Sequence, residues 1–456
     1  MSLLRKGILV SGGQMLVVAT GVASSVILAR AMGPDGVGQF GLFRRLATLV
    51  AAGTSLGLGS ASIYFLNNRR IPVSEITALL LRVLLIVAVP LVAGLWLVVV
   101  TCRTYFGDVP SWLALVFSVG VAALLGTALL RAVLAAGLMA RRMVVVDVLP
   151  GLVMLGGAAV LAICGWLTAA GAIALFAAGA LGNCTMLLWF LRPHLGLSVR
   201  FQWGLLARLL AYGMKLYAAN LLLLGASTLT LMLLRYLTVE SFTEVGLYGR
   251  AVAIATLVAL LPRAVSPLLY AKWAGVTGLE RRGQVEMTAR VNVSYGLITS
   301  LVVIFAGKYI IWLMYGRAFM PAQSALAVLG PAVGAMSLCA VFNNLLASDG
   351  RAGMSIWIFA GNAAIAIAGT WFLVPVLGIR GAAIAVLGAN TFAAVVMMLV
   401  CWKIYGVRPQ RCLLLCRTDM RYIASALFGG GKNRKQVRQQ PESDEQDGQS
   451  VHVPPT

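Results

Sequence analysis

Val37-Gly38-Gln39-Phe40-Gly41, with Ala47-Thr48-Leu49-Val50-Ala51 behind it, returns 208 residues later as Val245-Gly246-Leu247-Tyr248-Gly249, with Ala255-Thr256-Leu257-Val258-Ala259 behind it. A second pair, Gly171-Ala172 and Gly381-Ala382, recurs at an offset of 210. Each match falls near the start of an apolar run, and the nearly constant offset points to a tandem duplication.

The composition says what is duplicated. Of 456 residues, 60% are hydrophobic and 11% charged. A soluble domain has roughly 45–50% apolar and about 25% charged residues. Cytosolic enzymes, secreted disulfide scaffolds and nucleic-acid-binding modules are therefore excluded. The net charge of +22 would suggest nucleic acid in a soluble chain. Here the Lys and Arg residues sit mostly in short segments between apolar runs, the pattern of an integral membrane protein. The seven cysteines fall mostly within those runs and read as small core residues.

A bilayer-crossing helix needs about 20 mainly apolar residues. Twelve runs qualify: 7–31, 37–66, 77–102, 112–138, 146–167 and 170–191, then 214–238, 245–271, 289–314, 322–346, 352–376 and 382–402. Backbone groups in lipid must be satisfied within the segment, so each run is expected to be helical. The expectation is an all-α integral membrane protein with two six-helix lobes around a central cavity. An even number of spans per repeat makes the lobes parallel, related by an axis along the membrane normal. The lobes are expected at 1–191 and 214–405, joined by a cytoplasmic linker at 192–213. A cytoplasmic tail, 406–456, follows and is expected to be disordered from about residue 432, where it turns polar. Within it, 410–428 mixes leucines with Arg411, Arg417 and Arg421, the composition either of a helix lying at the membrane surface or of a partly ordered tail.

Orientation follows from loop charge. With the N-terminus inside, thirteen Lys and Arg residues fall in cytoplasmic loops and three, Arg103, Arg317 and Arg380, outside. That asymmetry fits the positive-inside rule and places both termini in the cytoplasm.

Eleven cations lie within the spans, against one acid, Asp147. Five of them, Arg30, Arg82, Lys215, Arg235 and Arg290, are close enough to helix ends to snorkel to the headgroups. Arg44, Arg45, Arg131, Arg250, Arg263 and Lys308 are deeper. A lipid-facing arginine at mid-depth costs about 2.5–3.5 kcal/mol. One marginal carboxylate cannot neutralise six cations, so these are expected to line a water-filled cavity between the lobes. Arginine there suits a phosphate, because its planar fork can bind two oxygens at once. Arg250 aligns with Leu42 in the repeat, and Leu42 and Arg45 share a helix face, so Arg45 and Arg250 are expected to point the same way from equivalent helices. Pro262 is expected to kink the eighth helix. Gln14, Asn220, Asn343, Asn362 and Asn390 are in-span amides able to contact sugar hydroxyls, the alternative being interhelical hydrogen bonds. No metal site or cofactor is expected.

Ala29-Arg30-Ala31-Met32-Gly33-Pro34-Asp35-Gly36-Val37-Gly38-Gln39-Phe40 resembles the "AR-x-LGP-x-x-x-G-x-F" stretch between the first two helices of bacterial polysaccharide-unit flippases. These form the oligosaccharide branch of the multidrug/oligosaccharidyl-lipid/polysaccharide exporter superfamily. Val245-Gly246-Leu247-Tyr248 with the downstream Leu261-Pro262 resembles their eighth helix. The likeness covers residues 1–405, with Met32 in place of the usual leucine. It implies a flippase of the bacterial inner membrane that moves undecaprenyl-pyrophosphate-linked oligosaccharide to the periplasmic leaflet by alternating access. The implied partners are that lipid, the surrounding membrane lipids, and a glycan polymerase and glycosyltransferases of the same pathway, with no nucleic acid.

Three alternatives compete. A multidrug antiporter of the same superfamily would want buried carboxylates for organic cations, where this chain offers cations. A lipid II flippase shares the basic-cavity chemistry. A membrane glycan polymerase or transferase needs an acid/base or nucleophilic group at the membrane face. The two histidines, His194 and His452, lie in a loop and the tail, and the outside loops are too short to build a catalytic domain.

Overall fold

The computed structural model describes residues 3–68, 71–136, 140–194, 202–238, 241–260, 262, 269, 273 and 278–413. These residues form helices throughout, with no strand among them. In chain order the long elements are α1 (Leu3–Ser55), α2 (Leu58–Asn68), α3 (Val73–Thr101), α4 (Ser111–Ala136), α5 (Ala140–Ile163) and α6 (Ala169–Leu191). The second series is α7 (Trp203–Leu237), α8 (Thr243–Val258), α9 (Gly278–Tyr315), α10 (Gln323–Ser348), α11 (Ala352–Leu377) and α12 (Ile379–Tyr405).

Among the described residues ten helices are long and apolar enough to cross a membrane, the first of them long enough for two crossings. Two of the twelve expected crossings are built differently from the expectation. The first two share α1, which reverses at Gly33 (φ 68°, ψ −177°). That left-handed backbone suits glycine, and Pro34 then opens the return arm with a preset φ. The return arm ends at Ser55; Leu56 and Gly57 both have positive φ, and α2 continues the same crossing. The eighth crossing is α8, whose regular part ends four residues before Pro262. α7 begins at Trp203, within the stretch 192–213 expected to link the lobes. The expected surface helix at 410–428 lies almost entirely outside the described residues, apart from a short turn at Pro409–Leu413.

The tryptophans mark two membrane levels. Trp96, Trp112, Trp166, Trp312 and Trp371 are exposed near the helix ends on the side where α1 reverses, here called the far side. Trp189, Trp357 and Trp402 are exposed near helix ends on the opposite, near side. Two belts of this kind are the signature of a bilayer's interfaces. Between them the outer surface is apolar, with residues such as Ile86, Leu97, Val160, Phe305 and Phe372 exposed. The protein is a multi-pass integral membrane protein.

The packing repeats as the sequence does. In the first half α1 packs on α5, α3 on α4, α4 on α6 and α5 on α6. In the second half α7 packs on α11, α9 on α10, α10 on α12 and α11 on α12. Each pair is the counterpart of the one before it, so the two six-helix lobes have one architecture around a central cavity.

The lobes meet at two levels. At the far side α1 crosses α8 through the repeated glycines. A methyl group on Gly38 would collide with the Phe242 carbonyl and stand 2.8 Å from the Gly246 nitrogen. One on Gly246 would collide with the Pro34 carbonyl and stand 3.1 Å from the Gly38 nitrogen. Since Pro34 and Phe242 are also 208 apart, the contact is reciprocal, as a two-fold axis through it requires. Asp35 adds a cap across the seam, its Oδ1 accepting from the Phe242 backbone N–H at 2.8 Å at the start of α8. At the near side Gly57 and Gly213 meet backbone to backbone, which joins the α1–α2 junction to α7.

Candidate functional site

Between these two seams the return arm of α1 presents Arg44. By surface area Arg44 is exposed. It lies within electrostatic reach of Arg45 and, across the lobe boundary, of Arg250. Arg45 is half-buried and lies beside Tyr248 of α8. Arg250 donates from one terminal nitrogen to the hydroxyl of Ser25, stacks 5.4 Å from the Tyr315 ring centroid, and keeps a buried Nε without a partner. Among the described residues, none of the three forms an ion pair.

The cluster sits on a face that both lobes share. Gly41, Arg44 and Thr48 follow one another at helical spacing, and their repeat counterparts are Gly249, Val252 and Thr256. Methyl groups placed on Gly41 or Gly249 would meet nothing within 4 Å. Thr48 and Thr256 are both exposed, and each returns its hydroxyl to its own helix at 2.8 Å, on the carbonyls of Arg44 and Val252. These two faces line open space, and only the first carries an arginine on it. Arg44 is the arginine of this face that lies within electrostatic reach of Arg250. Gln14 is exposed three turns before Ser25 on the same helix face, and Asn220 is exposed on α7.

Several expected members stand elsewhere. Arg131 is not free. It binds Asp147 of α5 through Nε at 2.5 Å and a terminal nitrogen at 2.7 Å, a bidentate pair inside the first lobe. The lone in-span acid, too little to neutralise six cations, pairs with this one. Lys308 is exposed beside Ile304, Phe305 and Trp312 at helical spacing, which is the lipid-facing side of α9. Its long stem reaches the headgroups, and it is no part of the cavity. Asn362 and Asn390 bond to each other at 3.2 Å and tie α11 to α12, the interhelical role rather than a sugar contact. Asn343 is half-buried on α10, and Arg263 lies outside the described residues.

Arg235 was expected to snorkel. Instead it is buried at the far side, donating to the carbonyls of Tyr105 at 3.0 Å and Thr104 at 3.1 Å, with its guanidinium 3.8 Å from the Phe242 ring centroid. Arg30 likewise donates to the carbonyls of Leu313 at 2.6 Å and Met314 at 3.2 Å. Both arginines satisfy free carbonyls at far-side helix ends. Sequence distance from a helix end cannot separate this role from snorkelling.

Cys184, Cys339, Cys401 and Cys412 are buried as expected, whereas Cys102 and Cys164 are exposed in far-side connections. Among the described residues no group of His, Cys, Asp and Glu is placed to hold a metal.

No protein-family profile and no curated protein matches the sequence. Solved structures do match the fold. A lipid II flippase, MurJ, in an inward closed conformation covers 94% of this chain and 95% of its own, with a TM-score of 0.70 at 10% identity. An inward-facing multidrug-resistance MATE transporter of the MOP superfamily gives 0.69 at 14% identity, covering 84% of this chain and 93% of its own. A MOP superfamily transporter from Pyrococcus furiosus, described as having a binding pocket of reversed polarity, gives 0.61 at 14% identity over 87% of this chain and 94% of its own. The chain shares its overall fold with these structures.

Proposed function

We propose that this protein is a flippase for lipid-linked oligosaccharide. It moves undecaprenyl-pyrophosphate-linked glycan units from the cytoplasmic to the periplasmic leaflet of a bacterial inner membrane for export as surface polysaccharide. The observation that carries this reading is the group Arg44, Arg45 and Arg250, contributed by both lobes and free of carboxylate partners among the described residues. Three guanidinium groups held close together repel one another, so the empty site favours a multivalent anion. A pyrophosphate offers paired oxygens to each planar fork. A multidrug cation would meet repulsion at the same place.

The near side is the cytoplasm by the excess of Lys and Arg in its loops. The lobes correspond to 1–191 and 214–405, with both termini cytoplasmic. Gln14 and Asn220 stand on open surface, where they can bind glycan hydroxyls. Alternating access supplies the movement: the Gly38–Gly246 seam holds the far side shut while lipid enters from the near side, then parts to release it. The protein acts with the glycosyltransferases that build the unit and the polymerase that consumes it, and performs no chemistry itself. The fold likeness to a lipid II flippase supports a second reading, in which the pyrophosphate-linked cargo is a peptidoglycan precursor.

The test is reconstitution into liposomes with fluorescent undecaprenyl-pyrophosphate-linked glycan in the outer leaflet. Arg44→Ala, Arg45→Ala and Arg250→Ala are each expected to slow flipping at least tenfold with the protein still inserted, and the Lys variants to keep part of the rate. Normal flipping by all three Ala variants would rule this site out.

A further inference from the structure

A second cavity, of about 650 Å³, lies on the near side below the Gly57–Gly213 contact. Its walls come from both lobes: Tyr64 and Phe65 of α2 and Glu75 of α3 face Gln202, Arg208 and Tyr212 around the start of α7. We infer that this cavity is an entry subsite for the sugar end of the lipid-linked substrate, which reads the glycan before the near-side seam parts. The inference rests on the flippase reading above.

Depth is the first reason. Twenty residues of helix span the roughly 30 Å hydrocarbon layer. Counted back from the far-side end of α7 at Leu237, that layer ends near residue 217, so Gln202, Arg208 and Tyr212 stand beyond it. Counted from Gly33 along the return arm, Tyr64 and Phe65 also lie past the layer. A hydrophilic glycan can occupy this level while its lipid stays in the membrane.

Chemistry is the second. The Tyr64 and Tyr212 rings stack across the lobe boundary at 4.4 Å and 20°, and Phe65 meets Tyr212 edge-on at 6.0 Å. Aromatic surface of this kind accepts the C–H face of a sugar ring, as Tyr does elsewhere by pairing a flat apolar body with a polar tip. Around it stand an acceptor, Glu75, a donor, Arg208, and an amide that is both, Gln202. Vicinal hydroxyls need that mixture, since each both gives and takes a hydrogen bond. Arg208 is steadied by its Nε, which donates to the Gly204 carbonyl at 3.1 Å.

Charge is the third. Among the described residues the Arg44 cluster has no acid partner and suits pyrophosphate, whereas Glu75, lining the same cavity as Arg208, would repel a second anion and leaves a neutral polar ligand favoured. The volume falls within the ~300–1,000 Å³ of ordinary small-ligand pockets. Tyr64 stands 19 residues beyond Arg45 on the same crossing, roughly 28 Å at 1.5 Å per residue, so the two sites recognise different ends of one molecule.

The experiment compares two probes on the full-length protein in lipid nanodiscs: undecaprenyl pyrophosphate, and the same lipid carrying an oligosaccharide of hexose and N-acetylhexosamine units. Wild type should bind the glycosylated probe at least tenfold more tightly. Gln202→Ala and Arg208→Ala, both exposed positions whose loss leaves the fold intact, should bring that ratio close to one without altering affinity for the bare lipid. Arg45→Ala should weaken both probes together. A wild-type ratio of one, or a ratio unchanged in both variants, overturns the glycan subsite while leaving the pyrophosphate reading standing. Failure of wild type to bind either probe removes both.

Discussion

Arg235 and Tyr105 hold each other across the lobe boundary on the far side. The arginine donates to the Tyr105 carbonyl at 3.0 Å, and the Tyr105 hydroxyl donates back to the carbonyl of Met232, one turn before Arg235, at 2.7 Å. This bracket ties α7 of one lobe to the connection between α3 and α4 of the other. Hydrogen bonds with a charged partner contribute about 1.5–3 kcal/mol each. Arg235→Ala should therefore shift the equilibrium toward far-side opening by roughly tenfold or more. In a cysteine-free background, Val252→Cys reports the shift through faster labelling by a membrane-impermeant thiol reagent from the far side. An unchanged labelling rate would mean that the bracket does not restrain the lobes.

The glycine seam predicts a steric version of the same result. Gly38 and Gly246 leave no room for a side chain on either helix. Valine at either position must push α1 and α8 apart, and overpacking of this kind costs about 1–3 kcal/mol. On the proposed alternating access this seam parts when the far side opens, so Gly38→Val and Gly246→Val should favour the open form. The two effects should fall short of additive, since one wedge already separates the seam. Labelling of Val252→Cys measures both; full additivity would show that the two glycines do not share one contact.

Arg131 and Asp147 predict a structural role where a binding role was expected. Removing either partner strands the other, half-buried, charge inside the first lobe. Partial exposure of Arg131 screens the pair, so Arg131→Ala should cost about 1.5–3 kcal/mol, the range for a charged hydrogen bond and below that for a fully buried pair. Thermal unfolding in detergent should show the loss, and the exchange Arg131→Asp with Asp147→Arg should restore much of it. If stability is unchanged while lipid-pyrophosphate binding falls, Arg131 belongs to the binding site after all.

The twelve crossings and the repeat were legible because both depend on local composition and on an offset that spacing alone records. Even there, the break at Leu56 and Gly57 was hidden inside an apolar run, since a helix interruption that costs no polar burial leaves no trace in hydropathy. The site was legible only in part. Depth along a helix picked out Arg44, Arg45 and Arg250, which the fold brings within electrostatic reach of one another, but depth does not give azimuth. Lys308 shares the depth and faces lipid; Asn362 and Asn390 face each other across two helices. Arg131 was misread because charge was counted over the whole chain, while neutralisation is pairwise and needs only Asp147 within reach. The near-side cavity went unseen, since Tyr64, Glu75 and Arg208 come together only when helices far apart in sequence pack.

The cation cluster makes a prediction whose sign runs against ordinary mutational experience. Most substitutions destabilise, but Arg44 repels Arg45 and Arg250 in the empty protein. At separations of order 10 Å and an intermediate effective dielectric, relief of that repulsion is worth on the order of 1–2 kcal/mol. Arg44→Gln should therefore raise the Tm of the ligand-free protein. Pyrophosphate added to wild type should raise it too, by about 2.7 kcal/mol of stabilisation at a hundredfold excess over Kd, with chloride far less effective. In Arg44→Gln the pyrophosphate effect should shrink, because the anion now loses one partner and has less repulsion to relieve. High salt should reduce the difference between the two proteins, as screening replaces the missing counter-charge. An apo Tm that falls in Arg44→Gln, with an undiminished response to pyrophosphate, would place the anion elsewhere and give Arg44 a packing role.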